Sequence, residues 1–193
     1  KITTVSPTYA KEIQTKGFGC GLDGVLAKRS KDLSGIINGL DYGLWNPSHD
    51  KLIYKKYGPK TLKNKYINKT NLQKACGLEE KKVPLFGFVG RLAGQKGMDL
   101  IASSMNELCK LDLQFVFLGT GEEYCHNLLE DISRRFPEKI VSFIKFDNEL
   151  AHKIYAGADV FLMPSHYEPC GLGQMISLKY GTLPLVFKTG GLA

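Results

Sequence analysis

At 193 residues, 43% apolar and 23% charged, the chain suits one α/β domain with a full core, or one domain plus an appendage. No apolar run approaches the roughly 20 residues needed to cross a bilayer, and residues 1–7 lack the apolar segment of a signal peptide. The formal net charge of +7 would fit nucleic acid, an anionic surface or a phosphorylated ligand. The five cysteines, at positions 20, 76, 109, 125 and 170, form no C-x-x-C and no metal spacing with the four histidines, which predicts reduced thiols in an intracellular protein. The chain begins without Met and stops just after a strand-like run and a glycine turn, so both ends read as cuts.

In chain order, residues 2–5 predict a short strand and Ser6-Pro7 the start of a helix running to Ile13. Ser6 is placed to cap it, and Pro7 sits where its missing N–H costs nothing. Glycines 17, 19, 21 and 24 make a loop, followed by a helix or turn over 22–28. No Lys-Ser/Thr pair follows at P-loop spacing, so no triphosphate site is assigned to this loop. Residues 33–37 predict a short buried strand, and Asn38-Gly39 a turn at its end. Residues 45–50 read as irregular surface, where the only Trp, Trp45, fits equally an anchor for the loop and a contact for a ligand.

Much of the positive charge lies between Lys51 and Lys82, with Lys56, Lys60, Lys63, Lys65, Lys69 and Lys74 between them. A basic helix over 59–76, ended by Gly77-Leu78, reads as a solvated face and not as a nucleic-acid surface. From Val83 the pattern becomes regular. Strands are expected over 84–89, 113–118, 139–145, 159–163 and 182–187, and helices over 98–110, 122–136, 148–156 and 175–180. The first of these helices should bury Leu100, Ile101, Met105, Leu108 and Cys109. This alternation implies a Rossmann-like, doubly wound parallel sheet. Such sheets bind ligands beyond the carboxyl ends of their strands. Segments 38–41, 90–97, 119–121, 145–149, 164–174 and 188–191, polar and glycine-rich, all lie at those ends.

Two stretches carry chemistry at that rim. In residues 165–174, Pro169 biases Glu168 toward an extended conformation at the end of a strand, while Gly171 and Gly173 let a ligand approach the N–H groups of a helix start. That geometry suits a phosphate. In residues 90–97, Arg91 offers a planar fork and Lys96 a compact charge, five residues apart. One carboxylate, two cations and free amides together match a nucleotide sugar, with hydroxyls for the first and a diphosphate for the others. A glycosidase would need a second carboxyl, and Asp41, Asp147 and Glu149 read as turn, cap or solvated residues. G-x-S-x-G and H-E-x-x-H are both absent, and His152 and His166 read as structural.

The ordered motifs Thr4–Ala10, Gly35–Asp41 with Trp45-Asn46-Pro47 and Asp50, Gly90-Arg91-Leu92 with Gln95-Lys96-Gly97, Leu118–Gly121, Ala156–Asp159, Glu168–Gln174, Tyr180–Pro184 and Thr189–Leu192 resemble the bacterial glycogen synthase and plant starch synthase family, and they cover nearly the whole chain. The resemblance implies the carboxyl-terminal, donor-binding half of a GT-B fold. Residues 1–80 would end the crossover from an amino-terminal domain and begin this one, and residues 81–193 would form the nucleotide-sugar core, truncated at its end. It implies retaining transfer of glucose from ADP-glucose to the non-reducing 4-hydroxyl of an α-1,4-glucan, in the cytoplasm or a plastid, with no metal or cofactor. Neither nucleic acid nor membrane is an expected partner. By position, Arg91 and Lys96 would hold the diphosphate and Glu168 the sugar hydroxyls. Cys170, Gly171 and Leu172 would present backbone donors, Gly173 would also lie at the substrate, Phe146 would lie against adenine, and Asn38 at the cleft edge.

Two departures matter. Ile176 stands where some related transferases carry a second Glu, which bacterial-type members commonly do without. The family's amino-terminal domain, with its Lys-Thr-Gly-Gly loop, is absent, so the chain alone is expected to be inactive. A non-catalytic nucleotide- or glucan-binding module, and a retaining GT-B enzyme that uses UDP-glucose, stay open as alternatives.

Overall fold

A computed structural model describes residues 1–193. Strands β1 (Ile2–Thr4) and β2 (Leu33–Gly35) pair in parallel, with Ile2 opposite Leu33. Between them lie helices α1 (Pro7–Glu12) and α2 (Asp23–Lys28). The Ser6 side chain accepts the Tyr9 N–H at 3.1 Å, and Pro7 opens α1, as the local sequence demands. Segment 33–37 is not a buried strand. β2 has only β1 beside it, and Ile36 and Ile37 are exposed. Nor does the chain turn at Asn38-Gly39. It turns at 42–44, where Asp41 Oδ1 accepts the N–H of Gly43 at 2.7 Å and of Leu44 at 3.3 Å.

Helix α3 (Asn64–Ala75) ends with Gly77 at φ 75° and the Leu78 N–H bonded to Gln73 O at 2.9 Å, the termination read from Gly-Leu. Its basic character is solvated only in part. Lys69 is buried, pairs with Asp159 at 2.6 Å and donates to Val83 O. Lys65 donates to Ala156 O at 3.0 Å and to Thr182 Oγ1 at 2.7 Å, so its ammonium satisfies a helix end. Apart from Val83, these acceptors lie 90 to 117 residues away, which helical periodicity cannot report.

The main sheet comprises β3 (Leu85–Val89), β4 (Gln114–Gly119), β5 (Ile140–Ile144), β6 (Val160–Met163) and β7 (Leu183–Val186). All neighbours are parallel, in the order β5-β4-β3-β6-β7. Helices α4 (Met98–Leu108), α5 (Glu123–Arg135), α6 (Asn148–Gly157) and α7 (Gly173–Lys179) make the crossovers. β4 is buried along its whole length, as expected for a strand covered on both faces. Phe88, Phe115 and Phe117 pack with Met98, Met105, Leu129 and Ile132 in one core cluster, while Val116 and Leu118 pack with Leu72, Leu85 and Ile154 in another. α4 departs from its expected face, because Leu100 is exposed and Met98 fills the core instead.

A third cluster, Tyr57, Tyr155, Phe161, Ile176 and Tyr180, surrounds a polar node at Asp50. Asp50 Oδ2 accepts from Tyr180 Oη at 2.5 Å and from His152 Nδ1 at 2.8 Å, and Oδ1 accepts from Leu52 N at 2.8 Å. Burial alone would raise the Asp50 carboxyl, but the bonds from His152, Tyr180 and Leu52 outweigh it and hold the group below its ordinary 3.8. Because the folded carboxyl titrates below its unfolded value, its contribution is complete above that ordinary value and vanishes as pH falls through the lower folded one. Asp50→Asn is expected to lower stability by about 1–3 kcal/mol at neutral pH, the cost of disturbing a buried hydrogen-bond node. Denaturant melts should show the gap from the native chain closing in strong acid. An equal gap at all pH values would show that the charge contributes nothing.

Candidate functional site

β3 and β6 lie side by side, but the crossovers that follow them leave toward opposite edges of the sheet, so a crevice opens at their carboxyl ends. Two loops fill its walls, residues 90–97 after β3 and 164–172 after β6. They are laced together: His166 N donates to Gln95 O at 3.0 Å, and Gln95 Nε2 to Tyr167 O at 2.7 Å. Gly97, at φ 72°, passes so close to Pro164 that a Cβ there would stand 2.1 Å from its carbonyl oxygen. No other residue fits both the left-handed conformation and that approach.

This lacing brings Lys96 Nζ to 2.5 Å from Glu168 Oε2, an oxygen that Ser165 Oγ also reaches at 3.1 Å. Glu168 is only 7% exposed. A second set of contacts fixes its backbone. Ser6 Oγ donates to Pro169 O at 2.7 Å, Gly191 N to Glu168 O at 3.0 Å, and Glu12 Oε1 accepts from Gly190 N at 2.9 Å. The amino-terminal helix α1 thus braces the carboxylate across more than 150 residues of sequence. Beyond Glu168 the backbone N–H groups of Cys170, Gly171, Leu172 and Gly173 donate to no group within the chain. Gly171 takes φ 72°, and the Gln174 amide occupies the space where its Cβ would lie.

Next to the crevice is a cavity of about 590 Å³ beyond the ends of β3, β4 and β5. Arg91, Thr120, Lys145, Phe146 and the first turn of α6 line it, with Trp45 and Tyr155 also on its wall. Arg91 donates to Gln95 Oε1 at 3.1 Å. Phe146 is 87% exposed and unpacked. Asp147 caps α6 by accepting Leu150 N at 2.9 Å, and its bonds to Lys145 and then Leu150 hold its carboxyl below the ordinary range. No three or more His, Cys, Asp or Glu side chains converge as metal ligands would.

Of the residues singled out from the sequence, the structure joins Lys96 with Glu168, puts Arg91 and Phe146 in the cavity, and aligns residues 170–173 along the approach to α7. Asn38 stays outside this group, exposed and off the cavity wall. Asp41 makes a turn, Glu149 pairs with Lys153, and His166 bonds to Asp99 at the end of β6. Sequence reading missed Tyr155 as a wall, since a buried aromatic on an amphipathic helix carries no ligand signal. Trp45 is both loop anchor and cavity wall. Lys145 and Thr120 fell within rim segments already marked by polarity.

Residues 69–193 match the family described as Glycosyl transferases group 1, and residues 1–28 match Starch synthase catalytic domain. The chain is 56% identical over 192 residues to a glycogen synthase of Fervidobacterium nodosum, and 55% identical over its full length to one of Thermotoga maritima. In each case all of this chain aligns, and it spans 40% of the relative's length. Among solved structures, the catalytic domain of Starch Synthase IV from Arabidopsis thaliana, bound to ADP and acarbose, superimposes with a TM-score of 0.93 at 42% identity. That match covers 98% of this chain and 40% of the plant one. Sucrose-phosphate synthase from Thermosynechococcus elongatus, at 18% identity and a TM-score of 0.62, shares the fold alone. The doubly wound sheet with its crevice at β3 and β6 is therefore a GT-B glycosyltransferase half, and the chain belongs to the glycosyl transferases group 1 family, in its glycogen and starch synthase branch.

Proposed function

We propose that the chain is the donor-binding part of a glycogen or starch synthase, which transfers glucose from ADP-glucose to the non-reducing 4-hydroxyl of an α-1,4-glucan with retention. The observation that carries this is the Lys96–Glu168 pair, set at the switch point between a row of free amides and an aromatic-lined cavity. The plant relative's ADP and acarbose support the same pairing of nucleotide and glucan. In this reading the base enters the cavity beside Phe146, while Arg91 and Lys96 take the diphosphate. As the glycosidic bond breaks, negative charge grows on the leaving diphosphate, and fixed cations lower the barrier without reorganising. Glu168, already oriented by Lys96 and Ser165, accepts from sugar hydroxyls, and the N–H groups of residues 170–173 add donors.

Residues 1–80 then end the crossover and start the domain, and residues 81–193 form its core. A second domain supplies the acceptor side, and the chain works in the cytoplasm. No helix is long and apolar enough to cross a membrane. Because the chain spans only 40% of its relatives, the 193 residues by themselves are expected to bind ADP without transferring glucose.

Calorimetry of the 193-residue chain should detect ADP at millimolar protein concentration, and a flat titration would count against the donor-site reading. In a form with the full length of its relatives, Lys96→Ala should slow turnover by about 100–1000-fold, as expected for one lost electrostatic contact to a transition state. A change under threefold would remove Lys96 from the machinery.

A further inference from the structure

Of the three aromatic side chains on the cavity wall, Phe146 and Trp45 are of opposite character. Phe146 stands almost free in solvent, whereas Trp45 is held although it lies in a segment without helix or strand. Its indole stacks on the His152 imidazole, with ring centroids 4.0 Å apart and planes 12° from parallel, and meets Tyr155 and Tyr180 edge-on. His152 is 0% exposed and sits on α6, next to Ala151, a residue of the cavity wall. Its Nδ1–H donates to Asp50, which lies five residues beyond Trp45 in the same irregular loop. The imidazole therefore grips that loop twice, by hydrogen bond and by stack. Its Nε2 is buried and meets no polar group, and its remaining contacts are both with Tyr180, whose Oη lies 3.5 Å from Nδ1 and whose ring meets the imidazole edge-on at 6.5 Å.

We infer that His152 is a positioning residue: bonded to Asp50 and stacked against Trp45, it fixes that indole as the rigid wall on which a planar nucleobase lies. The inference rests on the donor-site reading above. Stacking on a pre-set aromatic face needs no ordering of the wall when the ligand arrives, which an unpacked ring such as Phe146 would require. A purine, with two fused rings, overlaps such a wall more than a pyrimidine, so the same device favours ADP over UDP.

Trp45 is the only tryptophan in the chain, so its fluorescence reads the wall directly. The native chain and His152→Ala, His152→Phe and His152→Asn are compared first by acrylamide quenching before nucleotide is added, with circular dichroism reporting the fold. The Phe variant keeps the stack without the bond, and the Asn variant keeps the bond with a smaller face. His152→Ala should leave Trp45 markedly more quenchable, with the other two intermediate. If the Ala variant does not fold, the Phe and Asn variants carry the comparison. ADP and UDP are then titrated by calorimetry and by Trp45 emission. The native chain should show saturable quenching by ADP, tighter than by UDP, and the folded His152 variants should bind ADP about fivefold or more weakly.

Unchanged quenching by acrylamide in folded variants would overturn the positioning role. ADP that binds by calorimetry but leaves Trp45 emission untouched would overturn the wall. No calorimetric binding to the native chain would instead sink the donor-site reading and the wall's ligand with it, while the acrylamide arm still decides whether His152 holds Trp45.

Discussion

The backbone approach of Gly97 to Pro164 sets the width of the crevice between β3 and β6, and the site depends on that width. A parallel sheet with this strand order always opens a gap where its crossovers diverge. The two loops that border this gap are drawn together until Lys96 and Glu168 meet. Any side chain at position 97 would push the loops apart and separate cation from carboxylate. The constraint is steric and local, yet it joins residues 72 positions apart in the chain.

Polar groups, several of them buried, fasten the elements around that gap. Asp159 takes both the Lys69 ammonium and the Leu85 N–H, so one carboxylate locks α3 to the start of β3. Lys65 closes the carboxyl end of α6, and Asp50 ties the Trp45 loop to α6 and to the residue that ends α7. Charged groups held in this way add little net stability over apolar packing, because desolvation offsets their attraction. Their effect here is orientation. Apolar clusters accept many small rotations of a helix, whereas a saturated ammonium or carboxylate accepts few. The cavity walls inherit that definition, since α6 contributes Asn148, Ala151 and Tyr155 to them.

The division of the site into two parts follows from the same architecture. The nearly neutralised Lys96–Glu168 pair sits at the switch point, and the aromatic cavity lies to one side, beyond β4 and β5. Arg91 belongs to the loop that borders both. α1 reaches back from the amino-terminal segment to hold residues 169 and 190, so the carboxylate is braced by an element outside the main sheet. This arrangement sets an aromatic-lined cavity beside a charged pair and a row of unpaired amides.

Local chemistry alone determined a good deal. Alternating strands and helices from Val83 onward, the Ser6-Pro7 helix start, the Gly77-Leu78 stop and the rim position of Arg91, Lys96 and Glu168 were all legible, because each depends on neighbours within a few residues. The same reading failed where distant groups decide. Residues 33–37 look like a core strand but have no second sheet neighbour, Asn38-Gly39 yields its turn to Asp41, and Lys65 and Lys69 look solvated until their acceptors arrive from α6 and β6. Trp45 could be called anchor or wall from sequence, and only the stack on His152 shows how it is both. Pattern and propensity report a residue's own segment. Partners across 70 to 160 residues exist only once the chain has closed on itself, and in this protein those partners set the site.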